Sequence, residues 1–306
     1  MEVHFIINPC AGNGQGMKRW RQFEQQLAIP YQIHRTKYEG HALLLANDIA
    51  RRAKKENPIC LIAIGGDGTI HEVLNGAVYF ENVYLGAISA GSGNDFARGY
   101  EAFETNKQLE RFIETVKSTS HDCGVVNFNG STKYFVNNFG VGFDALVADI
   151  ANKSTLKRSL NKWKLGKLSY PFYVIHALFT YKPFKLTIFQ EGKKKQYQNV
   201  WFVTASNQPY FGGGMKLSPE SNTSDGQFEL TVVSNLSKWK LLFLFGTVFF
   251  GKHTLLKEVE QFAATEAQLI FDEPVMAHAD GEIQKLALGQ NKVQITVHKN
   301  IWNLAK

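Results

Sequence analysis

The chain is expected to form an α/β domain with a mostly parallel sheet, followed by an antiparallel β-domain carrying one or two helices. Three observations predict this. Over roughly the first 120 residues, short apolar runs alternate with helical patterns, as in a sheet covered by crossover helices. Beyond Asp122 apolar residues recur with period two, as in Phe228, Leu230 and Val232, and again in Val293, Ile295 and Val297. A length of 306 residues suits two cores better than one.

The elements follow in order. VHFIIN begins the first strand, MKRWRQFEQQLA the first helix and YQIHRT the second strand. A helix is predicted over 40–56, with Leu45, Ile49 and Ala53 on one face. Arg51, Arg52, Lys54 and Lys55 would then suit its negative pole. CLIAI (60–64) is a buried strand, then come a glycine loop and a helix over 69–79. VYLGAIS (83–89) is the next strand, followed by a second glycine loop and a helix over 107–117. Strands are predicted at 125–128 and 133–139, and helices near 143–152 and 160–180, the latter broken by Pro171. Gly192, Gly226 and Gly289 supply later turns. The domains divide as 1–127 and 128–306, with the extreme C-terminus free to return to the first.

Composition narrows the function classes. Cys10, Cys60 and Cys123 form no CxxC pair, which disfavours a disulfide framework or zinc site and suits a reducing, cytoplasmic setting. The start MEVHFIINPC lacks the features of a signal peptide. The longest apolar run, LLFLFGTVFF (241–250), is half the ~20 residues a spanning helix needs, so no transmembrane segment is expected. The net charge of +7 is unevenly spread: residues 151–200 hold eleven Lys or Arg and the single acid Glu191. Such a segment is a solvated basic face or an attractor of anionic head groups. No nucleic-acid recognition motif accompanies it.

Two loops carry most of the chemical information. Gly65-Gly66-Asp67-Gly68-Thr69 joins a strand directly to a helix. That junction lets backbone N–H groups and a helix N-terminus approach phosphate without side-chain obstruction. Asp67 would repel bare phosphate, but suits a site where Mg²⁺ lies between them. Gly91-Ser92-Gly93-Asn94-Asp95-Phe96-Ala97-Arg98 repeats the strand–loop–helix arrangement, and Asn8 to Gly14 forms a third loop after the first strand. One such loop is compatible with a simple turn; two at the same edge of an open α/β sheet mark a nucleotide site. No GxxxxGK[ST] occurs, and position 17 is Met where GxGxxG would need glycine.

Taken together, GGDGT at 65–69 and GNDFAR at 93–98 resemble the catalytic domain of diacylglycerol kinases in their bacterial soluble lipid-kinase form. The resemblance runs through Asn8-Pro9, Arg35-Thr36, Gly40-His41-Ala42, His121-Asp122-Cys123-Gly124 and Asp280-Gly281-Glu282. GGDGT alone is shared with NAD kinases; GNDFAR narrows it to lipid kinases. Two departures stand out: Ala90-Gly91-Ser92 where the family has Pro-Gly-Thr, and Ala11 where serine is common. Ser92 keeps a hydroxyl, and neither change removes an acid.

The resemblance implies an ATP-binding α/β domain, a C-terminal β-sandwich, and transfer of a phosphoryl group to a diacylglycerol-like alcohol. It implies nucleotide contacts at Asn8, Gly12, Thr36, Gly65, Gly66, Asp67, Gly68, Thr69, Ser92 and Asn94. Asp67, Asp95 and Asp122 are the implied Mg²⁺-side acids, acting through water, and Asn222, Asp225 and Gln227 a second, structural Mg²⁺ site. Asp280 and Glu282, two apart and so on one face if extended, are the candidates for the base. His41 and His71 are read as packing or capping residues. The implied setting is the inner membrane surface, with anionic lipid as partner and homodimerisation left open. The Phe211 to Gly214 loop is mobile by composition, and Phe243, Phe249 and Phe250 are read as core in preference to membrane contact. Competing readings are a soluble-metabolite kinase of the NAD kinase type and a catalytically idle lipid-binding protein.

Overall fold

The computed structural model describes residues 1–128, 130–153, 169–286 and 292–306. The chain forms two units. The first comprises Met1–Cys123, Gly212–Gly214 and His298–Lys306, the second Gly124–Phe211 and Met215–Val297. The α/β fold predicted for the amino-terminal part and the antiparallel β-sandwich of the carboxy-terminal part are both present.

In the first unit β1 (Glu2–Ile7), β2 (Gln32–Arg35), β3 (Ile59–Gly65) and β4 (Val83–Ser89) run parallel in the order β2-β1-β3-β4. Every residue of β3 is buried, as a central parallel strand requires when helices cover both faces. Phe5 packs edge to face on Phe23 and Tyr31 and tilted on Trp20, which in turn meets Tyr31 edge to face. The helices α1 (Gln15–Glu24), α2 (His41–Ala50), α3 (Asp67–Ala77), α4 (Asp95–Tyr100) and α5 (Asn106–Thr115) complete it. A Cβ on Gly76 would stand 2.4 Å from the Leu43 carbonyl oxygen, so this glycine lets α3 lie against α2.

The helix predicted over 40–56 stops at Ala50. The backbone instead closes a tight turn in which Lys54 and Asn57 exchange hydrogen bonds of 3.2 and 3.0 Å. The buried face is Ala42, Ala46, Ile49 and Ala50, and Ala53 lies beyond the helix. Small residues are selected there because α3 packs so closely.

At the carboxy terminus, Asn303 and Leu304 pair in parallel with Tyr84 and Leu85 of β4. Trp302 packs among Phe96, Tyr100 and His121. The last residues of the chain therefore wedge the short helix α4 that begins at Asp95.

The second unit is antiparallel. β7 (Asn138–Gly142) lies between β9 (Lys193–Ser206) and β15 (Val275–Ala279); β9 also pairs with β8 (Phe184–Gln190) and β12 (Phe228–Ser234). The single strand predicted over 133–139 is two strands, β6 (Ser131–Phe135) and β7, because the backbone turns at residues 136–137. β16 (Glu282–Leu286) pairs back on β15. Alternate residues of these strands and of the strands Glu266–Phe271 and Lys292–Ala305, among them Phe139, Val203, Phe228, Leu230, Leu269 and Ile295, make one apolar core. α6 (Phe143–Lys153), α7 (Ser169–Thr180) and α8 (Lys238–Val248) pack a second cluster around Trp201 and Phe202. Pro171 falls in the first turn of α7, where a missing N–H is tolerated, and the earlier part of the helix predicted over 160–180 lies outside the described residues.

The basic segment falls only partly within the described residues. Lys157, Arg158, Lys162, Lys164 and Lys167 lie outside the described residues, as does the turn predicted at Gly289. Lys153 pairs with Asp149 at 2.6 Å, and Lys195 with Glu260. Among the described residues no helix is long and apolar enough to cross a membrane.

His253 is fully buried in the second unit, and its Nε2–H donates to the Leu217 carbonyl at 2.9 Å. Burial lowers its pKa below the ordinary value of 6.5, partly opposed by that bond. A lowered histidine pKa means that the folded state resists a proton the unfolded chain accepts. Its stability contribution is therefore present above pH 6.5 and lost as pH falls through that value towards the folded pKa. Thermal melts between pH 8 and 5 should fall less steeply for His253→Gln, which keeps a donor but cannot charge; parallel curves would contradict this.

Candidate active site

The loops after β1, β3 and β4 converge within the first unit. An ideal Cβ on Gly91 would stand 2.6 Å from Gly66 Cα, so the two glycine loops meet backbone to backbone. The Gly65 carbonyl accepts from Ala90 N–H at 2.7 Å. Asn8 joins the set by donating from Nδ2 to Thr69 Oγ1 at 2.9 Å, while its Oδ1 accepts from Cys10 N–H at 3.0 Å. Gly12, at φ 55°, lies so close to Ala90 that a Cβ would meet its carbonyl oxygen at 2.2 Å. Thr36 is tied through its backbone N–H to Ile7 at 2.9 Å, and Ser92 is exposed.

This packing brings two of the expected acids together. The point where a Gly93 Cβ would stand is 2.8 Å from Asp67 Oδ2 and 3.7 Å from Asp95 Oδ2. Asp67 is half-buried and its Oδ1 accepts from Phe96 N–H at 3.1 Å. Asp95 is buried; its carboxylate accepts from Gly213 N–H at 2.8 Å and Gly214 N–H at 2.8 Å, and Arg98 bonds both it and the Gly93 carbonyl. The glycine segment expected to be mobile is thus held by Asp95. Asn94, at φ 56°, closes the loop by accepting Gly91 N–H at 3.1 Å.

Asp122 has a different placement. It is fully buried, its Oδ1 accepts from Asn300 N–H at 2.8 Å, and its carbonyl accepts from the Trp302 indole. Among the described residues no three His, Cys, Asp or Glu side chains converge to hold a metal directly. A divalent ion fits Asp67 and Asp95 only as a largely hydrated guest of hard oxygen donors, the manner in which Mg²⁺ is commonly held. His41 accepts from Lys37 N–H at 3.1 Å ahead of α2 and stacks on Tyr38; His71 is buried in α3.

In the second unit, Asp280 and Glu282 flank a turn with Asp280 at φ 47° and Gly281 at φ 91°. Asp280 is buried, and its two oxygens accept from the backbone N–H groups of Val136, Asn137 and Asn138 at 2.8–2.9 Å. Glu282 is exposed and forms an ion pair with Lys133 at 3.0 Å. At the other implied metal site, Asp225 accepts from Gln227 N–H at 2.9 Å and Asn222 from Ser224 N–H at 3.1 Å, local turns that these residue types favour. Nearby Glu229 is pushed above the usual carboxylate range by burial and by the Asp225 and Glu220 charges, against the lowering effect of a Ser221 hydroxyl bond.

Sequence reading overlooked a buried pair behind the Asp280 turn. His278 Nε2 lies 3.3 Å from Asp144 Oδ2, which also accepts from Thr204 Oγ1 at 3.2 Å, and His278 Nδ1 accepts from Gly281 N–H at 3.3 Å. Phe211 stacks on the imidazole. Gly140 leaves room for the pair, since a Cβ there would fall 1.9 Å from Asp144 Oδ2. Asp144 also borders an apolar pocket lined by Phe143, Val147, Phe202, Phe211 and Leu244. The available signal was an acid two residues after the run NFGVG, and a histidine two residues before Asp280.

The family model described as the diacylglycerol kinase catalytic domain matches residues 2–127, and that of the YegS C-terminal NAD kinase beta sandwich-like domain matches 137–298. The chain is 36% identical over 287 residues to a Bacillus subtilis protein named "Putative lipid kinase YtlR", covering 91% of this chain and 92% of that one. It is 29% identical over 296 residues to a diacylglycerol kinase of the same organism, with 94% and 92% covered. A crystal structure described as a putative diacylglycerol kinase from Bacillus anthracis superimposes with a TM-score of 0.73 over 99% of this chain and 94% of the other. At 21% identity, that last likeness concerns the fold.

Removing the Asp280 carboxylate would strand three N–H donors in the interior, at about 1–3 kcal/mol for each unsatisfied group. Asp280→Ala should therefore lose at least about 3 kcal/mol in urea unfolding, whereas Glu282→Gln should unfold like the parent. Equal stability of Asp280→Ala and the parent would refute the anchoring role.

Proposed function

Starting from a chain that belongs to the diacylglycerol kinase family of lipid kinases, we propose that it transfers the γ-phosphoryl group of ATP to the hydroxyl of a diacylglycerol-like lipid. The observation that carries this reading is the meeting of the Gly66 and Gly91 loops with Asp67 and Asp95 beside Gly93. Residues 1–127 are assigned the nucleotide and residues 128–306 the acceptor, with the returning C-terminal strand grouped with the former.

The roles follow from the chemistry of phosphoryl transfer, which is mainly positioning and charge compensation. Backbone N–H groups of the 65–68 loop, where α3 starts, receive phosphate oxygens, and the glycines keep side chains out of their way. Asn8, Gly12, Thr36, Ser92 and Asn94 shape the rest of that cradle. A hydrated Mg²⁺ associated with Asp67 and Asp95 would neutralise charge on the phosphates when bound. Asp95, committed to the Gly213 and Gly214 N–H groups, orders that segment as well. Asp122 supports the fold behind these loops through Asn300. On the acceptor side Glu282 is the base, because it is exposed and its partner is a lysine at the surface. Asp280 and His278 hold the turn that presents it. Asn222, Asp225 and Gln227 are retained as the structural cation site, where a cation would offset the Glu220, Asp225 and Glu229 charges. The proposed setting is the cytoplasmic membrane surface.

Purified protein with Mg-ATP and mixed micelles of hydroxyl lipids should yield a phosphorylated lipid, identified by mass spectrometry. Failure with every hydroxyl lipid would overturn the proposal, and transfer to NAD without detergent would favour a soluble-metabolite kinase instead. Asp67→Asn should lower kcat by about 10²–10³ with its melting temperature kept, since the amide oxygen can still accept the Phe96 N–H while the charge is removed. Near-parental turnover would remove Asp67 from the site.

A further inference from the structure

The aromatic stretch read as core from sequence lies largely in solvent. In α8 one face, Leu241, Leu244 and Val248, is buried against the second unit. The opposite face presents Trp239 at 73% and Phe243 at 72% exposure, and the chain continues into Phe250 at 76% and Leu255 at 83%. Trp239 and Phe243 stand at i and i+4, so helical spacing brings them onto one side, and the turn that follows α8 carries the exposed Phe249 and Phe250. α7 contributes exposed Ile175 and Phe179. The two helices meet there: Lys238 Nζ lies 5.7 Å from the Phe179 ring centroid and 3.5 Å from its carbonyl oxygen.

A helix with apolar residues on opposite faces belongs in a core or at a membrane, and among the described residues only one side of α8 is covered. The charges around it discriminate between occupants. Residues 235–257 contain Lys238, Lys240, Lys252 and Lys257 and no acid, and all four lysines are exposed. The next acid along the chain, Glu258, is occupied by Lys240. Large aromatic side chains ringed by lysines match an interface between acyl chains and anionic head groups. A second copy of the same face would set lysines against lysines.

We propose that the joint surface of α7, α8 and the Phe249–Leu255 segment docks this protein on an anionic lipid bilayer. The inference deepens the lipid-kinase reading, which supplies the need for a membrane, but rests on its own observations of exposure and charge. Trp239, Phe243 and Phe250 enter the head-group layer, and Lys238 and Lys252 stay at the level of the phosphates. Docking brings the second unit to the bilayer that holds a lipid acceptor.

The test uses the full chain and sedimentation with vesicles of phosphatidylcholine, alone or with about one-third phosphatidylglycerol. The parent should bind the anionic vesicles preferentially, and Phe243→Ser/Phe250→Ser should bind them about tenfold or more weakly at an unchanged melting temperature. Lys238→Glu/Lys252→Glu should lose the preference for anionic over neutral vesicles. Parental vesicle binding by the double serine variant would overturn the proposal. So would a parent that self-associates in velocity sedimentation and is dispersed by the same substitutions, because a second copy would then be the occupant. Vesicle binding with these dependences, but without phosphoryl transfer to any lipid, would support the docking face and overturn the kinase reading alone.

Discussion

Close approach of backbone to backbone governs the first unit. Gly66 and Gly91 come so near each other that a single methyl group on either loop must displace the other. That contact depends on a chain of supports: a wholly buried β3 beneath Gly65, the Ala90 N–H bond to the Gly65 carbonyl, and Asn8 reaching across to Thr69. The carboxylates of Asp67 and Asp95 stand beside Gly93 because the loops meet there. Like charges so placed repel each other, which the fold offsets with Phe96, Gly213 and Gly214 N–H donors and with Arg98.

The second unit solves a comparable problem with buried side chains. Its turn at Asp280 and Gly281 uses two positive φ angles, one at a non-glycine residue, and would be loose without outside support. Asp280 secures it to residues 136–138, and His278 secures it to Asp144 through the imidazole. The same carboxylate of Asp144 borders the apolar pocket. The pocket wall and the proposed base therefore share one hydrogen-bonded support.

Much of the fold was legible because it follows from local rules. β4 occupies the predicted residues 83–89, the helix predicted over 69–79 begins at Asp67, and that predicted over 107–117 begins at Asn106 behind a capping box formed by Thr105 and Gln108, whereas α4 at Asp95–Tyr100 had no predicted range. The overlong second helix shows the limit of such rules. Leu45, Ile49 and Ala53 have helical spacing, yet of these only Ile49 is buried, on a face completed by Ala42, Ala46 and Ala50 where α3 comes close. The acids at 67, 95, 122, 280 and 282 were visible as residues, but Asp122 and Asp280 are committed to backbone donors that no spacing announces.

By itself the sequence determined the two-domain α/β and antiparallel plan, the glycine loops and the family. These depend on period, glycine placement and backbone sterics, which operate over a few neighbouring residues. Only the tertiary structure decided which carboxylates face one another, that Asp144 and His278 pair, and that Phe243 and Phe250 stand in water. An apolar residue carries no record of whether a neighbour covers it. Burial and hydrogen-bond partnership come from elements distant in the chain, and are settled when those elements pack.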